Sequence, residues 1–346
     1  MYELFRPSNG CHSAALAPPL PMLLTGVTGV AGYNAFRYFH ARYPGQVIAI
    51  RQHDNWRLTA EGIEPCDAED RDGLRRLFDL FGFRSVLNCA GNCALKSCEL
   101  DPRMAWRINV EGVDNLLAAM RGHACRLVHL SVDLVFSGTR GGGHAEPDET
   151  DPVTQYGRTM VVGEQRVLAA RPDACVLRIS LPMGISLNGH AGAIDWIQSR
   201  FKQGKPATLY IDEVRTPTYT DCLNELFAAV LANDLAGLYH AGGPRRLSLF
   251  QIAQIVNRVG GYDPMNLIGC PRSEAGPIPP RAGDVSLDSN KLAQALGYEP
   301  FDPWPNDERF VPQGERWHFE RTDDWHGSRE LLAKVLYRNP GRASDC

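Results

Sequence analysis

The run Thr25-Gly26-Val27-Thr28-Gly29-Val30-Ala31-Gly32 has the residue types and spacing to hold a pyrophosphate. It follows an apolar segment, Pro21–Thr25, that reads as a strand, and it leads into a helix expected over Ala31–Tyr43. That is the setting in which a glycine pattern carries meaning. Gly26 permits a tight turn, Gly29 lets backbone amides approach the diphosphate of a dinucleotide, and Gly32 lets the helix lie close to the strand. Thr28 and Val30 fall along the same path, and the helix N-terminus favours the anion. The end of the second strand bears on which dinucleotide would bind. Ile50-Arg51-Gln52-His53 offers a ribose hydroxyl no carboxylate until Asp54, whereas Arg51 suits a 2′-phosphate. NADP(H) is therefore favoured, with NAD(H) still open. Asp67, past a short third strand, can accept a hydrogen bond from an adenine amino group; capping a helix is an equally good use of it.

Such a turn needs strands and helices in alternation, and the chain supplies them. Further strands are expected at Gln46–Ile50, Arg84–Asn88, Arg126–Ser131 and Cys175–Ile179. Helices are expected over Arg71–Phe81, from Asp101-Pro102 onward as one long helix, and over Tyr156–Ala170. Connection rules then favour an α/β protein, a Rossmann-type doubly wound parallel sheet. Beyond Ile179, Gly, Pro and Asn become frequent, with helices expected at Ile194–Gln203, Asp221–Leu231 and Leu249–Val259. This half reads as a smaller C-terminal substrate lobe over the sheet's carboxyl edge. The expected division is an N-terminal arm over 1–20 and a dinucleotide domain over 21–180, with a returning segment at about 207–241. The substrate lobe takes 181–206 and 242–300, and a C-terminal extension takes 301–346. In the extension Trp304, Trp317 and Trp325 suit apolar packing; a homodimer contact or a protein partner would sit there.

The 346 residues are 44% hydrophobic and 22% charged, which excludes disordered, collagenous and coiled-coil chains. A net charge of −4 provides no basic field for nucleic acid or an anionic membrane. No apolar run reaches the ~18 residues of a membrane helix. Pro18, Pro19 and Pro21 interrupt Ala14–Leu24, so that stretch does not read as a signal peptide. A cytoplasmic protein with reduced thiols is expected. Cys89, Cys93 and Cys98 match no common metal-ligand spacing, so no metal site is expected.

The glycine spacing, Asn88-Cys-Ala90-Gly91 and Arg107-Ile-Asn109-Val-Glu-Gly-Val-Asp-Asn115-Leu resemble the extended short-chain dehydrogenase/reductases. Ser131-Val132-Asp133-Leu-Val135-Phe-Ser-Gly138, Tyr156-Gly-Arg-Thr-Met160, Arg215-Thr-Pro-Thr-Tyr219-Thr-Asp221 and Leu287-Asp288-Ser-Asn-Lys291 look most like the dTDP-4-dehydrorhamnose reductase branch. The resemblance spans about residues 21–300. It implies an NADP(H)-dependent oxidoreductase that reduces a keto group on a nucleotide-activated deoxysugar or a similar small carbonyl substrate. It also implies that Ala90, Gly91, Ser131 and Ser180 lie near the cofactor, with Asn109 at a retained catalytic position. Asp133, Arg215, Tyr219 and Arg281 would then face the substrate.

In that family a Tyr donates a proton, a Lys four residues later lowers the Tyr pKa and binds the nicotinamide ribose, and a Ser or Thr holds the substrate oxygen. Here Tyr156 stands, but the Lys position is Met160 and the hydroxyl position is Val132. Ser131 is adjacent to Val132, on the opposite side of a strand. Without a cation the phenol is expected to titrate near its ordinary value of about 10. Losing matched acid–base assistance costs ~10²–10⁴ in rate. Candidate substitutes are Lys96, His129 and His190, and Thr154 and Gln155 flank Tyr156. Arg215 suits a phosphate, or a pairing with Asp212 or Glu213; Arg281 pairs most simply with Asp288. Two other readings stand beside the oxidoreductase. One is a cofactor-binding regulatory or scaffold subunit, as in the methionine adenosyltransferase beta subunit that this resemblance includes. The other is an isomerase or dehydratase that uses a held nicotinamide transiently.

Overall fold

Alternation along the strands decides the architecture. The computed structural model describes residues 17–56, 58–187, 192–321 and 326–338, so His190, Trp325 and most of the expected arm lie outside the described residues. Strands β1 (Met22–Thr25), β2 (Val47–Arg51), β3 (Ile63–Pro65), β4 (Ser85–Asn88), β5 (Arg126–Val132) and β6 (Cys175–Ile179) form one sheet with a seventh strand, Gly237–Ala241. Every pairing is parallel, and the order is Gly237–Ala241, β6, β5, β4, β1, β2, β3. Leu23, Ile48, Ile50, Val86, Leu127 and Val176 fill one face, while Met22, Leu24, Val47, Leu87, Val128 and Leu177 fill the other. Both faces are apolar because helices cover both.

Helix α1 (Val30–Arg42) covers the second face through Phe36 and Phe39. Helix α2 (Arg71–Phe81) covers the first through Leu74 and Phe78; Asp70 caps its start by accepting from the Gly73 amide at 2.8 Å, and Gly82, at φ 60°, ends it. The strand order reverses between β1 and β4, which opens a crevice at their carboxyl ends. After α3 (Leu95–Leu100) the chain departs from the sequence expectation. The single helix expected from Asp101 is two, α4 (Pro102–Trp106) and α5 (Gly112–Ala119), joined by a π turn over Arg107–Glu111. The widened turn holds Asn109 inward, where it bonds two neighbouring elements. Helix α6 (Gln155–Ala170) lies against β5 and the turn Asp133–Val135 that follows it, so close to the turn that a Cβ at Gly157 would stand 2.2 Å from the Leu134 carbonyl oxygen.

Helices α7 (Ala193–Lys202), α8 (Thr220–Ala232) and α9 (Leu249–Val259) follow, then α10 (Asn290–Leu296) and α11 (Arg329–Leu336). Short strand pairs stitch these segments over the carboxyl edge: Pro182–Met183 with Thr218–Tyr219, Val214–Arg215 with Leu247–Ser248, and Ala207–Tyr210 with Leu267–Cys270. Trp304, Trp317, Val335 and Leu336 pack into the same core as α9. Among the described residues no helix is long and apolar enough to cross a membrane, and no cluster of side chains could hold a metal.

Candidate active site

The glycine turn divides its work by position. Gly26 adopts φ +69°, and a Cβ there would lie 2.2 Å from the Cys89 carbonyl oxygen. Gly32 packs on Gly26 itself, with a Cβ 2.2 Å from that residue's carbonyl oxygen. Gly29 is different: its backbone is extended at φ −80°, and an added Cβ would meet only the Gly26 oxygen, at 3.5 Å. Two glycines thus serve the fold, and the third leaves space. Gly29 is also the N-cap of α1 and supplies no side chain to its amides, and the first turn carries no acid. An anionic diphosphate fits this arrangement.

That turn opens into a cleft of about 370 Å³ at the crevice. Gly29, Val30, Gly32, Ala90 and Gly91 line one end. Ser131, Val132, Tyr156, Met160 and Ser180 line the middle, and Asp133, Glu213, Arg215 and Arg281 line the far end. Gly26, Thr28, Arg51, Asp67, Lys96, Asn109 and Tyr219 are not among the lining residues.

Tyr156 and Met160, each 5% exposed, share an apolar cluster with Leu134, Val135, Phe136 and Cys98, and Val132 packs against it. The Met160 sulfur lies on the Gly91 side of the cleft. The ordinary phenol value expected for Tyr156 needs correction. Burial pushes its pKa well above 10, with Cys93, Asp133 and Cys98 adding to the rise and only Arg215 opposing it. Removing the cation is half of the change; enclosing the phenol in apolar side chains is the other half.

Neighbouring polar groups are committed elsewhere. The Ser131 hydroxyl, on the opposite strand face from Val132, donates to Glu164 on α6, which also takes a two-pronged bond from Arg178 at 2.8 Å and 2.8 Å. Asn109 donates to the Thr159 hydroxyl at 2.9 Å and accepts from the Asn92 amide at 2.7 Å, so it joins α6 to the loop after β4 without facing the cleft. Thr154 caps α6 by accepting from the Gly157 amide, and the Gln155 amide donates to Glu99. His129 is buried, bonded to Asn88 at 2.8 Å, and burial lowers its pKa to about 4, so it is a neutral scaffold group.

At the far end charges alternate. Arg215 bonds Asp133 and lies 3.7 Å from Glu213, which lies 3.7 Å from Arg281. Ser180 donates to Asp133 at 2.6 Å. Asp212, offered by the sequence as a partner for Arg215, pairs instead with Arg272. Arg281 does not take Asp288, whose carboxylate accepts from the Asn290 amide. Glu213, the other partner offered for Arg215, does pair with it, and it also lines the cleft, a place the sequence reading did not give it. Its i, i+2 spacing to Arg215 on an extended segment was the available signal, since such residues share a face.

Several of the expected contacts are engaged away from the cleft lining. Tyr219 is buried; its hydroxyl accepts from the Asn306 amide at 3.0 Å and donates to the Val335 carbonyl at 3.4 Å, so the C-terminal segment claims it. Lys96 is exposed on α3, because Leu95 and Cys98 take that short helix's inward face. Asp67 holds its own neighbourhood, accepting from the His53 amide at 3.0 Å and bonding the His53 ring at 3.0 Å. Arg51 curls over the end of β2 to bond the Gln52 and His53 carbonyls, while its buried Nε has no partner.

Comparison with known proteins follows the same outline. Residues 21–308 match the family described as RmlD substrate binding domain. The dTDP-4-dehydrorhamnose reductase of Mycolicibacterium smegmatis is 32% identical over 287 residues, covering 82% of each chain. The Danio rerio protein named methionine adenosyltransferase 2 subunit beta is 23% identical over 297 residues, 82% of this chain and 87% of its own. A crystal structure of dTDP-4-dehydrorhamnose reductase from Bacillus anthracis in complex with NADP superposes with a TM-score of 0.68 at 21% identity, covering 87% of this chain and 99% of that one.

Proposed function

Because this chain belongs to the RmlD substrate-binding-domain family, we propose that it is an NADP(H)-dependent oxidoreductase acting on a keto group of a nucleotide-activated deoxysugar, through a reaction end altered at Val132 and Met160. The observation that carries this reading is the single cleft joining the Gly29–Gly32 turn, the Tyr156 phenol and the Arg215–Arg281 end. The relatives named as dTDP-sugar reductases support the substrate class, and the NADP in the Bacillus anthracis structure supports the cofactor.

Each residue group then has its task. The α1 amides hold the diphosphate of the dinucleotide, and Arg51, with its unpartnered Nε, meets the 2′-phosphate. Bound NADPH supplies the hydride. Tyr156 holds its proton at the phenolic oxygen and presents it to the carbonyl oxygen that becomes the alcohol. The apolar side chains around it exclude water. Arg281 and Arg215 face the anionic part of the nucleotide sugar.

Fluorescence titration of the full chain tests the cofactor, and NADPH consumption with a dTDP-4-dehydro sugar tests the reaction. NADPH binds more tightly than NADH, and Arg51→Ala removes that preference, a loss of about 10- to 100-fold for a charge-assisted bond. Equal affinities, or no binding, overturn the cofactor assignment. The regulatory-subunit reading rests on one observation, a buried phenol with methionine where the lysine is expected. Tight NADPH binding with no turnover on any dTDP-keto sugar would select it.

A further inference from the structure

Glu213 is the least satisfied charge in the cleft. It is 2% exposed, it lines the cavity, and its Oε2 has no hydrogen-bond partner. Its contacts with Arg215 and Arg281 are ion pairs at 3.7 Å, too long for hydrogen bonds. Asp133, by contrast, is bonded by both Arg215 and Ser180.

The charges facing this site come from several elements. Arg215 and Asp212 share the segment of Glu213, Arg281 comes from the loop before Ala282, and Asp133 comes from the turn after β5. Arg272 faces Asp212 from outside. At the far end of the cleft two guanidinium groups meet two carboxylates, with Asp195 lining the cleft as well and accepting from the Gly192 amide, so the end built to receive phosphates has no net positive charge when Glu213 is ionised. A diphosphate entering it would face a buried carboxylate at close range, and like charges in a low-dielectric site repel strongly. Protonating Glu213 removes that repulsion, releases Arg281 for the ligand while Arg215 stays held by Asp133, and turns the carboxyl into a hydrogen-bond donor.

We infer that Glu213 is a specificity-determining residue of the substrate end, taking one proton from solvent as a diphosphate-bearing ligand binds. This rests on the reading of the cleft as a nucleotide-sugar site. Burial already pushes the Glu213 carboxyl above the ordinary glutamate range, with Arg215 and Arg281 pulling it back and Asp133 and Asp212 pushing it further up. A bound diphosphate would push it further in the same direction. Linkage fixes the sign. Affinity is full below the pKa of the free protein, falls as pH rises through it, by at most about tenfold per pH unit, and levels off above the pKa of the complex.

The test is calorimetric titration of the full chain, saturated with NADPH, with dTDP in two buffers of different ionisation enthalpy across pH 5.5–8.5. The wild type takes up more protons than Glu213→Gln, by up to about one per nucleotide; the difference cancels the titration of dTDP itself. Above neutral pH the variant binds dTDP about tenfold more tightly than the wild type. Equal proton counts and parallel pH profiles in the two proteins overturn the inference. If the variant does not fold, the wild-type count decides alone: uptake beyond that of free dTDP supports the inference, and none overturns it. If dTDP binds neither protein at any pH, the nucleotide-sugar reading itself falls, an outcome distinct from binding without proton uptake.

Discussion

At the diphosphate end of the cleft the requirements are met by backbone. Gly26 and Gly32 are held by contacts that leave no room for a Cβ, and Gly29 keeps the approach open. At the reaction end the requirement is a side chain's charge and hydroxyl, and there the chain has Met160 and Val132. Both replacements join an apolar cluster with Tyr156 and Phe136 and leave no buried polar group unpaired. The contrast shows where change is cheap. Altering Gly26 or Gly32 disturbs the fold, because both are packed on backbone; altering the reaction end exchanges a polar group for a well-packed apolar one.

The largest effect that could break this contrast is a restoration. Met160→Lys with Val132→Thr lowers the Tyr156 pKa and raises kcat/KM for a dTDP-keto sugar by ~10²–10⁴. If the parent enzyme already turns over as fast as the double variant, the reaction end is not impaired. Next come the glycines, compared with each other. Gly29→Val keeps the melting temperature and loses dinucleotide affinity by roughly 100-fold, about 3 kcal/mol. Gly32→Ala lowers the melting temperature as well, since its Cβ has a backbone oxygen at 2.2 Å. Equal behaviour of the two variants would erase the distinction between a glycine for packing and one for approach.

Both ends also share a scaffold, the chain of hydrogen bonds from Thr25 to Asn88 at 2.5 Å and from Asn88 to His129 at 2.8 Å. The folded His129 has a pKa near 4, below its ordinary 6.5, because burial disfavours the charged ring. The unfolded chain therefore binds the extra proton between those values. His129 contributes stability that is whole above pH 6.5 and drains away as pH falls toward 4, by up to about 1.4 kcal/mol per pH unit. Denaturant titrations at pH 7 and pH 5 measure this, and His129→Gln flattens the difference. The smallest effect belongs to Tyr219→Phe, which loses two hydrogen bonds to the C-terminal segment, the longer of them weak, about 1 kcal/mol in all, and leaves ligand affinity unchanged. A weakened ligand would return Tyr219 to the cleft.

Elements with strong local cues were legible in the chain itself. Arg71–Phe81 and Leu249–Val259 run between the residues expected, since caps and apolar period act over one or two turns. Cys175–Ile179 is likewise a strand with the bounds expected. The helix from Asp101 was misread because its π turn is fixed by partners distant in the chain, Asn92 and Thr159. Tyr219 was misplaced for a similar reason. Its motif points to the ligand side, but residues near 306 and 335 take its hydroxyl. The alternating charges at Asp133, Glu213, Arg215 and Arg281 come from three separate segments, so spacing could relate Glu213 to Arg215 but could not bring Asp133 and Arg281 to them.

Residue order alone settled the parallel sheet and the turn that would cradle a diphosphate, and the family resemblance marked Met160 and Val132 as standing at the lysine and hydroxyl positions beside Tyr156. Those features are local, set by steric limits on glycine, by apolar period and by which side chain stands four places along a helix. Which carboxylate faces which guanidinium, how deeply the phenol is enclosed, and which loop residues reach the cleft depended on the folded chain. Burial and long-range pairing are properties of segments brought together, and the energy of a charge is set by what surrounds it rather than by its neighbours in order.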